Sequence, residues 1–345
     1  MGLIWCQSKA LGCPQFVRWG FASSRAYGKL AAELKELSGI DTGYAPTGGI
    51  IPCLGEAELE ARAQFIEKLR AETEDGTYPA SVLSRKELEG MLPKVPFGPE
   101  VSGGIWSDMD GYVDPLHLMF AFRKSFVRLG GTLFAGERVS EVKPSGKGYA
   151  VVCGGRTLEC GKAVLAAGLG VRKLAAQLGT DIPVFPNKSQ VMLLERIPAD
   201  VLPIPLLGIA RTFGGTVMIG AAHENMGMDR RLTPEVLAAN AQWAVRVWPE
   251  LERKRILRFW TGLRVWPKDA YPIYDRIPGH ENAFVFAMHS AVSLAAILEQ
   301  ALPDYVMGKP LPPDGAIFGL SRFAGGGSGF QGSAASSPHA EAPNK

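Results

Sequence analysis

The run Lys162-Ala163-Val164-Leu165, which passes into Ala166-Ala167-Gly168, constrains the fold of this chain more than any other stretch. It has no polar face, so it reads as a strand covered on both sides, the condition of a parallel strand inside an α/β sheet. It ends in small residues, and a helix is expected over 171–178, so a ligand can approach the backbone at the turn. A second apolar strand is expected over 283–287, followed by His289-Ser290-Ala291-Val292 and a helix over 293–302. In open α/β sheets, ligands lie beyond the carboxyl ends of such strands, where a helix N-terminus offers unpaired N–H groups and positive potential. An electron-rich ring would be stabilised there. Each turn taken alone also reads as a tight strand-to-helix connection that uses small residues.

The rest of the pattern is of two kinds. Helices are expected over 16–37, 56–73, 115–129 and 234–247, with a short one opened by the capping-box pair Ser84 and Glu87. Asp114 is a good N-cap, Pro115 suits the first helical turn, and Gly130-Gly131 stops the helix. Strands are expected at 48–54, 132–134, 139–143, 149–153 and 156–158. An antiparallel block is expected at 191–195, 206–211 and 216–221, and a further strand at 255–266. Parallel strand–turn–helix segments thus alternate with antiparallel blocks in a chain of 345 residues, which implies an α/β protein of two interleaved domains.

Hydrophobic residues make up 46% and charged residues 21%, which excludes a mainly disordered chain. The net charge of +3 contains no run of like charges, so neither a nucleic-acid stripe nor a polybasic membrane patch is expected. The apolar stretch 283–298 is too short for a bilayer and is interrupted by His289, Ser290 and Ser293, so no transmembrane segment is expected. The start lacks the basic flank of a signal peptide, which makes the cytoplasm the default location. Five cysteines without a CxxC point to reduced thiols, and five scattered histidines point to no metal site. Residues 324–345 are dominated by Gly, Ser, Ala and Pro and read as a disordered tail. The only GxGxxG, Gly327, Gly329 and Gly332, lies in that tail without a preceding strand or a following helix, so a nicotinamide site there is rejected.

Arg264 closes an apolar strand between Leu263 and Val265. A guanidinium fork matches a carboxylate bidentately, so Arg264 is a candidate anchor for an amino- or imino-acid substrate, the alternative being a buried structural ion pair. His289 reads either as a core histidine or as a site residue.

Taken together, several stretches resemble the D-amino-acid oxidase and glycine oxidase superfamily of flavin amine oxidoreductases. They are residues 2–9, 110–115, 164–168, 226–231, Gly262-Leu263-Arg264 and 289–294. The likeness is greatest to the branch holding the flavin subunits of opine oxidase, hydrogen cyanide synthase and D-hydroxyproline dehydrogenase. The resemblance implies FAD, with Val139 near the adenine and Ala166, Ala167 and Gly168 along the cofactor. It places Gly2 and Leu3 beside the flavin ring, Gly262 against the cofactor, and His289, Ser290, Ala291, Val292 and Ser293 at the pyrimidine edge. Arg264 matches the arginine that holds the substrate carboxylate. The implied reaction is hydride transfer from the carbon bearing the amine to the flavin, with electrons passed on to a partner subunit or quinone; a location peripheral to the inner membrane is compatible with that.

The fold implied is an incomplete Rossmann-like FAD-binding domain (1–40, 105–182 and 262–323) interleaved with an antiparallel-sheet α+β substrate domain (41–104 and 183–261). It is incomplete because the family's opening strand, GxGxxG turn, helix and acidic strand end, a unit of roughly 30 or more residues, has no counterpart here. A second reading follows: a flavin-free remnant or partner-binding subunit.

Overall fold

The computed structural model describes residues 1–220 and 222–330. Strands β9 (Ala163–Leu165) and β15 (Ala283–Ala287) pair in parallel, with Ala163 opposite Ala283 and Leu165 opposite Val285. β14 (Ile273–Arg276) runs antiparallel on the other side of β15. Every residue of β15 is buried, as its unbroken apolar run requires. A single 3₁₀ turn leads from β9 into helix α5 (Val171–Ala176), and a short turn leads from β15 into α7 (Ala291–Val306). Since the two strands are parallel neighbours, both turns emerge at the same end of the sheet. Helix α7 begins two residues earlier than the pattern indicates, because Ser290 enters the left-handed region at φ 63° and starts it.

β9 is an edge strand, and here the structure departs from the sequence reading. Val164 is 44% exposed rather than buried. Residues 132–134, expected as a strand, pair with nothing, and Leu133 and Phe134 are exposed. Helix α4 (Pro115–Arg128) starts as its residues dictate, with Asp114 accepting from the N–H groups of Leu116 and His117, yet Leu116, Met119, Phe120 and Val127 face outward. Apolar residues are thus left open on both the sheet edge and the helix, and among the described residues no strand–GxGxxG–helix unit covers them.

The antiparallel part is larger. β10 (Val184–Arg196), β11 (Ile209–Arg211), β12 (Thr216–Gly220) and β13 (Ile256–Pro267) form one sheet in the order β11-β12-β10-β13. β2 (Gly49–Leu54), β4 (Val101–Ser107) and β3 (Ser81–Ser84) form another, joined to the first by a bridge from Ile50 to Leu206. Helices α2 (Glu56–Ala71), α3 (Arg85–Met91) and α6 (Pro234–Val247) accompany these sheets. The core there takes Ile50, Leu88 and Leu92 from one part of the chain and Met192, Val217 and Trp248 from a distant one. β4 is a strand that its sequence conceals: it contains Gly103-Gly104, which reads as a turn. A Cβ on Gly103 would lie 2.2 Å from the Leu83 carbonyl oxygen, so the glycine is needed for the close approach of β3.

The remaining elements close the molecule. β6 (Val139–Ser145), β7 (Gly148–Cys153) and β8 (Arg156–Cys160) form a meander. β1 (Leu3–Ile4) pairs with β5 (Gly111–Tyr112), and α1 (Pro14–Ser38) packs along α7 and α4. The short helix α8 (Pro313–Ala316) lies against α1. Residues 324–330 differ from a loose tail. The Phe330 ring packs on Tyr271 and Phe318, and its N–H donates to Asp269. Gly329 turns at φ +79° where a Cβ would fall 2.3 Å from the Asp269 carboxylate, so its glycine serves this turn. Gly332 and the rest of 331–345 lie outside the described residues. Among the described residues no helix is long and apolar enough to cross a membrane.

Candidate functional site

The site is built where the parallel pair ends. Ala166 and Ala167 are exposed in the turn after β9, and Gly168 follows at φ +58°. The position of a Cβ on Gly168 is 3.5 Å from Val265 Cγ2, which brings this turn against β13 one residue from Arg264. Two residues along the same strand, Trp266 reaches the second turn: its ring lies 4.6 Å from that of His289. On the other side His223, in the segment after β12, meets Trp266 edge to face at 5.2 Å. Sequence reasoning placed Trp266 in the core and gave His223 no role; their rings meet only because β12, β13 and β15 converge.

Arg264 is the main electrostatic feature. It sits opposite Asn187 on β10, and its Nη2 donates to Asn187 Oδ1 at 2.6 Å and to the Ala222 carbonyl at 2.5 Å. Its guanidinium lies 5.5 Å from the Trp266 ring. No acidic residue among those described pairs with it, and its Nε is buried without a hydrogen-bond partner. Burial lowers its pKa to about 10. The structural ion pair that would explain a buried arginine is therefore absent among the described residues. A guanidinium held by two neutral acceptors, with a donor unfilled, is arranged for an incoming anion.

The first strand forms one wall. Ser293, on the first turn of α7, accepts from the Trp5 N–H at 3.0 Å and donates to the Leu3 carbonyl, so its hydroxyl ties β1 to α7. Gly2 at φ +82° is required there, since a Cβ would sit 2.1 Å from the Val113 carbonyl oxygen. Behind this wall Asp110, fully buried, accepts from the N–H groups of Cys6 and Gln7 and from Gln7 Nε2. Burial raises its pKa to about 7. Lys9 donates to the Trp5 carbonyl at 3.0 Å and lines a small cavity with Trp5, Cys6 and Ser290; burial lowers its pKa. Sequence reasoning quoted Lys9 only within a matching stretch, since a lone lysine near a chain start carries no signal of burial. His289 bonds Ser290 through Nδ1, and its pKa is held well below 6.5 by burial first, then by Lys9, Arg264 and His223. The α-amino group of Met1 is also buried within the field of Arg264.

Of the residues expected to hold a cofactor, the turn residues converge. Ala166, Ala167, Gly168, His289, Ser290, Ala291 and Val292 flank one opening, with Gly2, Leu3 and Ser293 in its wall. Gly262 is exposed on β13 with nothing within 4 Å of a Cβ, leaving room for a flat group. Val139 stands elsewhere, paired with Cys153 at the start of β6 and packed against the cluster of Ala163, Leu165 and Val171. Helix α7 has no side-chain cap, so its first N–H groups remain available to an acceptor such as the pyrimidine edge of a flavin. The ring end of FAD thus fits the residues present. The pyrophosphate end is different, because among the described residues no glycine-rich turn opens a helix to cradle it.

Comparison with known proteins agrees with this geometry. An opine oxidase component from Rhizobium meliloti, its B chain by name, is 31% identical over 323 residues, covering 93% of this chain and 86% of that protein. The hydrogen cyanide synthase component HcnC of Pseudomonas aeruginosa is 28% identical over 321 residues, covering 90% of this chain and 75% of that protein. The crystal structure of glycine oxidase from Geobacillus kaustophilus superimposes with a TM-score of 0.85 at 25% identity, covering 94% of this chain and 88% of that one. Residues 2–298 match the family described as FAD dependent oxidoreductase, so the chain belongs to that family and FAD is its cofactor.

Proposed function

We propose that this FAD-dependent oxidoreductase oxidises the C–N bond of an amino acid, imino acid or opine whose carboxylate is held by Arg264. The observation that carries this reading is the buried guanidinium of Arg264, which has no acidic partner among the described residues. Asn187 and the Ala222 carbonyl orient it, and Trp266 covers one side, so the carboxylate has a defined seat. His289 is neutral, and its Nδ1 is engaged with Ser290. The wall of Leu3 to Trp5 and the Trp266 ring restrict water around the seat. FAD, when bound, supplies the two-electron acceptor, with Ala166 to Gly168 and the α7 N-terminus along its ring. Relatives named as subunits of opine oxidase and hydrogen cyanide synthase support a heteromeric partner that takes the electrons onward.

The test is anaerobic bleaching of the flavin absorbance by D-amino acids, hydroxyprolines, glycine and opines. Bleaching by at least one carboxylated amine is expected, and none across the panel would sink the proposal. A second reading, a flavin-free subunit, is favoured by the open edge of β9 and the exposed Val164. Absence of flavin bands from the protein peak after FAD addition and gel filtration would select it.

A further inference from the structure

Among the described residues, Arg264 is one of two buried cations at this site without a counter-ion. Lys9 lies beneath the same turn: its Nζ has one hydrogen bond, to the Trp5 carbonyl, which leaves two of the three ammonium donors unfilled. No acidic group among the described residues pairs with it. The acid in its electrostatic surroundings is Asp110, both of whose oxygens are already taken by the N–H groups of Cys6 and Gln7 and by Gln7 Nε2. The small cavity that Lys9 lines reaches Ser290 and Ser293 on the α7 turn. His289, on that turn, is within the fields of both Lys9 and Arg264. Its ring, packed on Trp266, therefore marks a place that both unpaired cations face. Burying an ammonium without a partner is costly, so a second anion arriving with the ligand would recover that cost at Lys9 as the first does at Arg264.

We infer that Lys9 is a specificity-determining residue that seats a second carboxylate, so that the preferred ligand is an amine flanked by two carboxylates, one on Arg264 and the other on Lys9. This rests on the reading of Arg264 as a carboxylate anchor. It separates dicarboxylate amines from simple amino acids, which would leave Lys9 unsatisfied.

The test needs no turnover. Glutarate has the carbon skeleton length of a secondary amine carrying two carboxymethyl groups, and butyrate is its one-carboxylate counterpart. Both are titrated into the full-length protein with FAD added, by isothermal calorimetry and tryptophan fluorescence. Wild type is expected to bind glutarate at least about tenfold more tightly than butyrate, since a charge-assisted contact is worth that much or more. Lys9→Gln, which keeps a donor for the Trp5 carbonyl but removes the charge, should erase the preference and leave butyrate binding unchanged; Lys9→Arg should retain it. Arg264→Ala should weaken both acids. Equal binding of the two acids by wild type, or a preference that survives in Lys9→Gln, overturns the role of Lys9 and leaves Arg264 standing. Butyrate binding that is indifferent to Arg264→Ala, or no binding of either acid, overturns the carboxylate seat and this inference with it.

Discussion

The rings of Trp266 and His289 lie 4.6 Å apart at an interplanar angle of 53°, and this contact joins the strand that carries Arg264 to the turn that starts α7. A substrate anchor on an antiparallel strand is thereby fixed against the mouth of a parallel pair. The alignment of the carboxylate seat with the cofactor's ring depends on that packing.

Replacing Arg264 with alanine removes the charge-assisted contact and leaves the Asn187 and Ala222 acceptors unpaired. The loss should be on the order of 2–4 kcal/mol, roughly 30- to 1,000-fold in KM for a carboxylated amine, with the flavin content unchanged. An unaltered KM in a folded variant would remove Arg264 from the site.

Two buried groups give the stability opposite dependences on pH. Asp110, raised to about 7, keeps a proton in the folded state that the unfolded chain has released, so its contribution is complete at low pH and is lost as pH rises from about 4 to 7. His289, lowered well below 6.5, does the reverse: the unfolded chain takes up a proton first, so stability falls as pH drops below 6.5. Urea midpoints of wild type and Asp110→Asn should therefore diverge between pH 5 and 8, by at most about 1.4 kcal/mol per pH unit. Parallel curves would mean that Asp110 is ionised throughout.

Glycines at the site divide into two kinds. Gly2→Ala meets the Val113 carbonyl in a left-handed conformation and should cost at least about 1–3 kcal/mol, seen as a lowered Tm. Gly262→Ala meets nothing and should leave Tm alone, yet weaken flavin retention when the cofactor lies over it. Unchanged flavin content in Gly262→Ala would take Gly262 out of the cofactor wall.

The segment leading to α6 is pinned from below. Lys188 and Glu224, with side chains 1% and 4% exposed, form an ion pair at 3.1 Å that is completed by Gln190 and Thr233. Lys188→Met strands the buried carboxylate and should cost about 3–5 kcal/mol in chemical denaturation, whereas Lys188→Met with Glu224→Leu should recover most of it. The single variant should also raise KM, since Ala222, two residues from Glu224, supplies an acceptor for Arg264. Equal stability of single and double variants would show that the pair is not coupled.

Local rules made several elements legible in the residues themselves. Asp114 and Pro115 mark the start of α4, Ser84 and Glu87 close a capping box, and the apolar run of β15 needs burial on both faces wherever it is placed. The small residues after β9 and the His289-Ser290 turn were visible as ligand-facing ends for the same reason: period and turn chemistry are properties of neighbouring residues. Tertiary structure alone decided what those ends meet. Gly103-Gly104 reads as a loop until β3 approaches within reach of its carbonyl, and 132–134 reads as a strand although no neighbour pairs with it. Arg264 could have been one half of an ion pair, and its lack of an acidic partner among the described residues became visible only once β10 set Asn187 opposite it. The burial of Lys9 and the meeting of Trp266 with His289 likewise depend on residues far apart in the chain, because desolvation and charge are set by the surroundings in space and not by neighbours in sequence.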